Sequence, residues 1–387
     1  MKYWRGYLVA AVVAACSWGL MAFAQSHSAL VDMVYPYLSR MIMTFMADWS
    51  GAVTFGVWQA VLLVLGVLFA ASVVLMIVLR WNPIQWFGWV LTGASLLFLV
   101  HTGIYGLNYY AGDLSDDVRM QVTEYTVSEL EEAAAYYLEQ ANALSTQIPR
   151  DGSGEPSYPT FEKLAKQAAE GFAVMTYEEA SSVFAGSTVP VKELGWSNHF
   201  TRKGITGITV GLTGEACVNP QVPAVGLPFA MCREMACRMS IVAEADANFA
   251  AFLACRANPN EEFQYSGYLM AFRYCREALA QVTTPNGEAA LQRIDHNTGA
   301  KVRQDLETYD ALFGEDKTQT PFGFNTFYQV ESGEEGASAY ENVCDLLVSW
   351  HIQEFVLPLQ VEEEVLFDPM DESQVDLFET TEPATAG

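Results

Sequence analysis

The residues of this chain that could do chemistry lie between positions 233 and 248. Arg233, Glu234 and Cys237 have the spacing of an H-E-x-x-H motif, in which two imidazoles one helical turn apart bind zinc and the glutamate activates the metal-bound water. Arginine and cysteine stand at the two histidine positions, while Glu234 keeps the general-base position. Glu244 follows at a plausible third-ligand position. One thiolate and one carboxylate are two donors short of a tetrahedral site, so we expect no resident metal.

Five further segments flank this motif: Gly204–Ile208, Leu212–Ala216, Leu227–Phe229, Glu244–Cys255 and Phe263–Tyr268. Together they resemble an uncharacterised bacterial family of membrane-anchored, zincin-like proteins, and the resemblance runs from the membrane helices to about Trp350. In that family the motif helix carries an intact H-E-x-x-H after an Ala-Cys pair, and an E-D-E-A-N-F segment follows. This chain departs from that pattern at both imidazoles, and Ala245 and Asp246 replace the acidic pair.

The resemblance implies a mainly α, α+β zincin-like domain in which Asp246 and Asn248 support the residues of the site. Without the imidazoles, we expect a degenerate metallopeptidase that binds no cofactor and does not hydrolyse peptides, but binds a peptide or protein partner in its cleft. The alternative is an active metallopeptidase whose zinc is held by Cys237, Glu244 and a distant histidine such as His199. A purely structural membrane protein is the third hypothesis.

Composition excludes some classes of function. The chain has 387 residues, of which 51% are hydrophobic, and a formal net charge of -26. Residues 1–110 hold four basic and two acidic side chains, a net +2, so the remainder carries -28. Such a domain repels phosphate backbones, and nucleic-acid binding is therefore disfavoured.

Three uncharged apolar runs predict transmembrane helices: Tyr7–Ala24, Gly51–Leu79 and Ile84–Leu107. The first run, with its basic start and its A-x-A end, also fits a secretory signal peptide. The second and third are joined by a short turn and predict a hairpin. We therefore expect three membrane helices in residues 1–110, an extracytoplasmic domain in 111–357 and an acidic disordered tail in 358–387.

Within the domain, capping and periodicity predict its scaffold. Thr126 with Glu129 forms a capping box before a helix of about five turns, and Thr160 caps a second helix. The Gly, Thr and Ile content of residues 204–218 predicts a strand, either an ordinary edge strand or one that pairs with an extended peptide. Tyr265 either stabilises an oxyanion or packs in the core.

Six of the seven cysteines lie outside the membrane runs. An even number permits disulfides, but no C-x-x-C spacing is present and small buried thiols are common in helices. The sequence therefore favours free, buried thiols and argues against a structural zinc module.

Orientation gives the first testable prediction. Lys2, Arg5 and Arg80 flank the apolar runs, so the N-terminus and the 80–83 turn should face the cytoplasm of a bacterial cell, and everything after Asn108 should be outside. Alkaline phosphatase, which matures only outside the cytoplasm, should be active when fused to the C-terminus of the chain. Fused after Arg80 it should be inactive, and the reverse pattern would contradict the orientation.

Overall fold

The computed structural model describes residues 2–178, 182–313 and 343–357, and these are mainly helical. The predicted acidic tail lies outside the described residues. Four long helices come first in the chain. They are α1 (Arg5–Ser26), α2 (Ser28–Gly51), α3 (Val57–Val78) and α4 (Pro83–Ile104).

Helices α1, α3 and α4 are each 22 residues long and apolar enough to cross a membrane. The three predicted apolar runs are therefore helices that could cross a membrane. The second begins at Val57 rather than at Gly51, because α2 ends at Gly51 and the chain turns before α3. Composition did not show this break, since residues on both sides of it are apolar.

Helix α4 packs against α1. Gly6 and Gly88 allow the contact, because a Cβ atom added at Gly6 would lie 2.6 Å from the backbone of Gly88. The Thr92 hydroxyl also donates to the Gly6 carbonyl at 2.9 Å. The predicted pairing of α3 with α4 is seen near their turn, where Trp86 contacts Phe69 and donates to the Ser72 hydroxyl.

Helix α2 was not predicted, and it joins the membrane helices to the rest of the chain. Its Arg40 is buried and donates from Nε to the Met239 carbonyl at 2.9 Å and from Nη1 to the Ser182 carbonyl at 2.6 Å. Its Asp32 accepts a hydrogen bond from the Gly112 amide. Helix α2 is therefore fixed to the helical domain at two points.

The helical domain surrounds one large hydrophobic core. Helix α6 packs on α11, and α10 lies between α9, α7 and α11. The predicted capping box of Thr126 and Glu129 is confirmed at the start of α6. The remaining helices are α5 (Leu114–Asp117), α6 (Val127–Ser145), α7 (Phe161–Glu178), α8 (Ser197–Thr201), α9 (Leu227–Arg238), α10 (Glu244–Ala257), α11 (Glu261–Gln281), α12 (Pro285–Asn297), α13 (Ala300–Phe313) and α14 (Val343–His351).

A small sheet covers the motif helix α9. Its strands are β1 (Lys192–Glu193), β2 (Gly207–Val210) and β3 (Glu215–Val218), in the order β1-β3-β2. Strand β1 is parallel to β3 and β2 is antiparallel to it. The single strand predicted over 204–218 is thus a hairpin. Gly214 makes its turn with φ +65°, where an added Cβ atom would lie 2.5 Å from the backbone of α2.

A buried ion pair joins this sheet to the membrane helices. Lys192 Nζ lies 2.7 Å from Glu215 Oε1, with side-chain exposures of 9% and 0%. Glu215 accepts hydrogen bonds from the first two amides of α3, at Val57 and Trp58, each at 2.7 Å. Lys192 also donates to the Ser50 carbonyl at the end of α2, at 2.8 Å. One pair therefore caps the end of one long helix and the start of the next.

Substitution of Glu215 tests this arrangement. Glu215→Gln leaves the buried ammonium of Lys192 without its counter-charge, so we expect a loss of about 3–5 kcal/mol in the free energy of unfolding. Glu193→Gln is a matched control, because it makes the same charge change on an exposed residue, and it should cost under about 0.5 kcal/mol. Thermal unfolding of the full chain in detergent measures both, and equal effects would contradict the role of the pair.

Candidate functional site

The candidate site lies on α9, where Arg233 and Cys237 are one turn apart on one face. Pro228 lies in the first turn of this helix, where a missing amide donor has no cost. At its other end the Met239 carbonyl accepts the hydrogen bond from Arg40 of α2. The motif helix is therefore held at its C-terminal end by a residue that precedes the second membrane helix.

Glu234 lies at the buried centre of the site. Its side chain is 2% exposed, and Oε1 is 2.7 Å from Nη1 of Arg233. Its other oxygen, Oε2, accepts a hydrogen bond from the Thr209 hydroxyl of β2 at 2.8 Å. Each carboxylate oxygen of the residue at the general-base position therefore has a donor from the protein.

Arg233 links α9 to α10. While Nη1 is paired with Glu234, Nε donates to Oδ1 of Asn248 at 3.1 Å. Asn248 was predicted to support the site, and it does so by direct contact with the arginine. The Arg233 side chain remains 26% exposed.

Two other predicted residues lie elsewhere than expected. Glu244 was predicted at a third-ligand position, but it is the first residue of α10, is exposed, and acts on Arg233 through its charge. The residue of α10 that accepts a hydrogen bond from Arg233 is Asn248, one helical turn after Glu244. Asp246 accepts a hydrogen bond from the Leu114 amide at 3.3 Å and so holds the segment that follows the membrane helices.

Burial controls the charge states in this site. It raises the pKa of Glu234, and the Arg233 charge and the hydrogen bond from Thr209 oppose this only in part, so the net pKa is raised. Burial lowers the pKa of Arg233, but the neighbouring acidic groups Cys237, Glu234 and Glu244 outweigh it, and the net pKa is raised. Burial and the Glu234 charge raise the pKa of Cys237 to about 12. At neutral pH the site therefore holds the Arg233 guanidinium beside Glu234 and a protonated thiol at Cys237.

The alternative zinc site needs Cys237, Glu244 and His199 in one place. Across residues 2–178, 182–313 and 343–357, no group of three or more His, Cys, Asp and Glu side chains is close enough to hold a metal ion. His199 lies in α8 and packs on Phe200, which belongs to the hydrophobic cluster on the face of the sheet away from α9.

Strand β2 lies beside this site at the edge of the sheet. In an antiparallel ladder, the backbone groups of every second residue point to the partner strand. The Asn219 amide donates to the Thr206 carbonyl, so the backbone groups of Ile208 and Val210 also point to β3. The backbone groups of Gly207 and Thr209 then point away from β3, to a side where no strand of the described residues pairs with β2, and both residues are partly exposed. Gly207 also fits closely over the site, since an added Cβ atom would lie 2.5 Å from Cγ of Glu234.

Two further features lie away from this site. Tyr265 is fully buried and its hydroxyl donates to Asp305, so it packs in the core rather than at the motif. A surface cavity of about 710 Å³ lies between α11, α12 and α13. Its arginines Arg273 and Arg276 are already paired with Asp310 and Asp295 of its own lining.

Sequence reasoning missed Thr209 as a partner of Glu234. The signal available was the Gly and Thr content of the strand, which indicated an edge next to the motif helix but not which hydroxyl would meet the carboxylate. It also missed Tyr105, whose hydroxyl donates to the Cys237 carbonyl at 3.3 Å from just beyond α4. Both contacts join residues far apart in the chain, and no local spacing encodes them.

The chain belongs to the family described as protein of unknown function (DUF3810), whose model matches residues 31–348. The match begins in α2 and ends in α14, so the unit shared by the family includes α3 and α4 as well as the helical domain. No curated protein and no solved structure matches the chain. The predicted membership of an uncharacterised family is therefore confirmed, and its function rests on the geometry of the site.

Removal of Arg233 tests the electrostatics of the site. Arg233→Ala leaves the Glu234 carboxylate buried with Thr209 alone, so the free energy of unfolding should fall by about 1–3 kcal/mol at pH 8. The variant raises the pKa of Glu234 further, and a group with a raised folded pKa loses stability as pH rises through that pKa. The loss should therefore shrink towards pH 5.

The control for this prediction is the same substitution in a Glu234→Gln background. Without the Glu234 carboxylate, Arg233→Ala should change the free energy of unfolding little, and that change should be the same at pH 8 and at pH 5. Denaturant unfolding of the full chain at both pH values gives the comparison, and a loss independent of pH in the original background would contradict the pairing.

Proposed function

We propose that this chain is a multi-pass membrane protein with a degenerate, zincin-like metallopeptidase domain that does not hydrolyse peptides and binds an extended peptide or protein segment. The domain lies on the outer face of a bacterial cytoplasmic membrane. Binding occurs along the open edge of β2, above Arg233 and Glu234. No metal or other cofactor takes part.

The observation that carries the proposal is the contact between Arg233 and Glu234. A general base must have a free carboxylate oxygen facing the water that it activates. At Glu234 one oxygen is 2.7 Å from the arginine and the other is 2.8 Å from Thr209. Arg233 takes the position of the first zinc-binding imidazole of the motif. This supports a domain that keeps the arrangement of its helices but has lost the ability to hydrolyse peptides.

The edge of β2 supports peptide binding. An extended segment can add a strand through main-chain hydrogen bonds, and alternate residues of the open strand supply them. Gly207 and Thr209 offer these groups directly beside the site. Arg233, whose side chain is 26% exposed, adds a cation that can donate hydrogen bonds to a carbonyl or carboxylate oxygen of the bound segment.

The outer-face location is supported by charge. The basic residues Lys2, Arg5 and Arg80 favour a cytoplasmic N-terminus and a cytoplasmic turn between α3 and α4. The three membrane helices then carry the acidic domain to the other side. There it meets secreted and envelope proteins, whose unfolded or extended segments are the class of partner that an open strand edge binds.

A displayed library of random ten-residue peptides tests binding to the full chain in nanodiscs. For a selected peptide, N-methylation of alternate residues in one register should weaken binding by about 5- to 150-fold, because two lost hydrogen bonds cost about 1–3 kcal/mol. N-methylation in the other register should have little effect, since those amides point away from the edge. A photoreactive group in the peptide should crosslink to residues 207–210.

The same assay separates the competing functions. Equal weakening in both registers, or crosslinks confined to other segments, would contradict edge pairing at β2. Peptide cleavage that a zinc chelator stops and Glu234→Gln abolishes would establish the active metallopeptidase instead. A library that yields no binder while the protein remains folded would favour the purely structural role.

A further inference from the structure

Helix α2 has one long apolar face that no other element covers. Large apolar residues recur along it at steps of three or four, which places them on one side of the helix. Six of them are between 49% and 72% exposed. They form what we call the apolar face of α2, which consists of Leu30, Val34, Tyr37, Met41, Phe45 and Trp49.

The charged residues of α2 bond elsewhere. They are Asp32, Arg40 and Asp48, and each bonds to a residue that follows α4 in the chain. Arg40, the single lysine or arginine of this helix, is buried against the helical domain. The apolar face therefore contains no basic residue.

The directions of the membrane helices determine where α2 begins and ends. Helix α4 runs parallel to α1, because Gly6 near the start of α1 lies against Gly88 near the start of α4. Helix α3 runs antiparallel to α4, since the two follow one another through a short turn and meet beside it, where Trp86 donates to Ser72. When all three cross the membrane, α1 ends and α3 begins on the same side.

Helix α2 joins these two points. His27 alone separates it from α1, and residues 52–56 separate it from α3. A helix of 24 residues is about 36 Å long, whereas the chain from 51 to 57 reaches at most about 21 Å. Helix α2 therefore can neither cross the membrane nor stand upright on it, and it lies along the surface.

We propose that α2 is an interfacial helix whose apolar face inserts into the leaflet of the bilayer next to the helical domain. The inference rests on the proposed function only for the crossing of α1, α3 and α4. A helix of this kind lies in the plane of the membrane with its apolar face about 5–10 Å into the boundary between headgroups and acyl chains. Lipid is present at this end of α2, because no residue in the apolar window of α3 is buried by protein.

Exposed aromatic residues support the same level for the bilayer surface. Trp196 of the helical domain is 61% exposed, and its ring lies 5.6 Å from that of Trp58, the second residue of α3. Tyr37 and Trp49 are exposed on the apolar face of α2. Such rings are enriched at membrane interfaces, because they contact both acyl chains and headgroups. Trp196 thus places the edge of the domain beside α3 at the interface.

The composition of the apolar face also predicts its lipid preference. Without a basic residue it gains no attraction from anionic headgroups, and the helical domain that it joins is acidic. Insertion then depends on the apolar area that enters the bilayer. We therefore expect the depth of α2 to be the same in zwitterionic and in partly anionic bilayers.

Spin labels on the full chain in phosphatidylcholine nanodiscs test the proposal. Labels are attached to Met41→Cys or Phe45→Cys in a Cys16→Ser background, since the other six cysteines are buried. For each label, relaxation by oxygen, which concentrates in lipid, is compared with relaxation by a water-soluble nickel complex. The ratio of the two reports whether the label lies in lipid or in water.

Two further labels give the reference ratios. Leu68→Cys, exposed in the middle of α3, reports lipid, and Glu139→Cys, exposed on α6, reports water. The ratio at both α2 positions should lie close to that at Leu68 and far from that at Glu139. It should not change when phosphatidylglycerol is added, and a depth that increased with this lipid would contradict insertion by apolar area alone.

The outcomes separate this inference from the proposed function. A water ratio at both α2 positions, with a lipid ratio at Leu68, would overturn the interfacial helix and leave the membrane crossing intact. Slow relaxation by both agents, with broadening between labels, would show a second copy of the chain on this face and would also overturn it. A water ratio at Leu68 would instead overturn the membrane crossing of the proposed function, and the inference with it.

Discussion

The arrangement of this protein depends on the buried ion pair of Lys192 and Glu215. The two charges meet between the end of α2 and the start of α3, and together they satisfy the carbonyl of Ser50 and the amides of Val57 and Trp58. Unpaired helix ends buried at a junction would be costly, and so would either charge alone. The pair is thus the point at which the sheet, and everything packed on it, is fixed to the membrane helices.

The Lys192–Glu215 pair also determines where the candidate site lies. Glu215 begins β3, β3 sets the register of β2, and β2 places the hydroxyl of Thr209 against Glu234. From the other side, Arg40 of α2 holds the end of α9 through the carbonyl of Met239. The motif helix is therefore held by β2 on one face and by α2 at its C-terminal end, and both elements lie beside the membrane helices. This agrees with a family match that spans α2, α3, α4 and the helical domain as one unit.

Within that frame, Arg233 joins the two helices of the site. Its guanidinium bonds Glu234 on its own helix and Asn248 on α10. The Glu234 carboxylate accepts hydrogen bonds from Arg233 through one oxygen and from Thr209 through the other. These contacts connect α9 to α10 on one side and to β2 on the other.

The sequence by itself determined the three membrane helices, the capping box of Thr126 and Glu129, and the motif helix, because run length, capping and helical spacing are local properties. The start of α3 and the partners of Arg233 were decided by tertiary structure. Glu215, which lies far along the chain, supplies the cap that begins α3 at Val57. The packing of α10 on α9 brings Asn248, rather than Glu244 one turn before it, within reach of Arg233. Local pattern cannot encode either result, because the distance between two side chains on different helices depends on how the whole core packs.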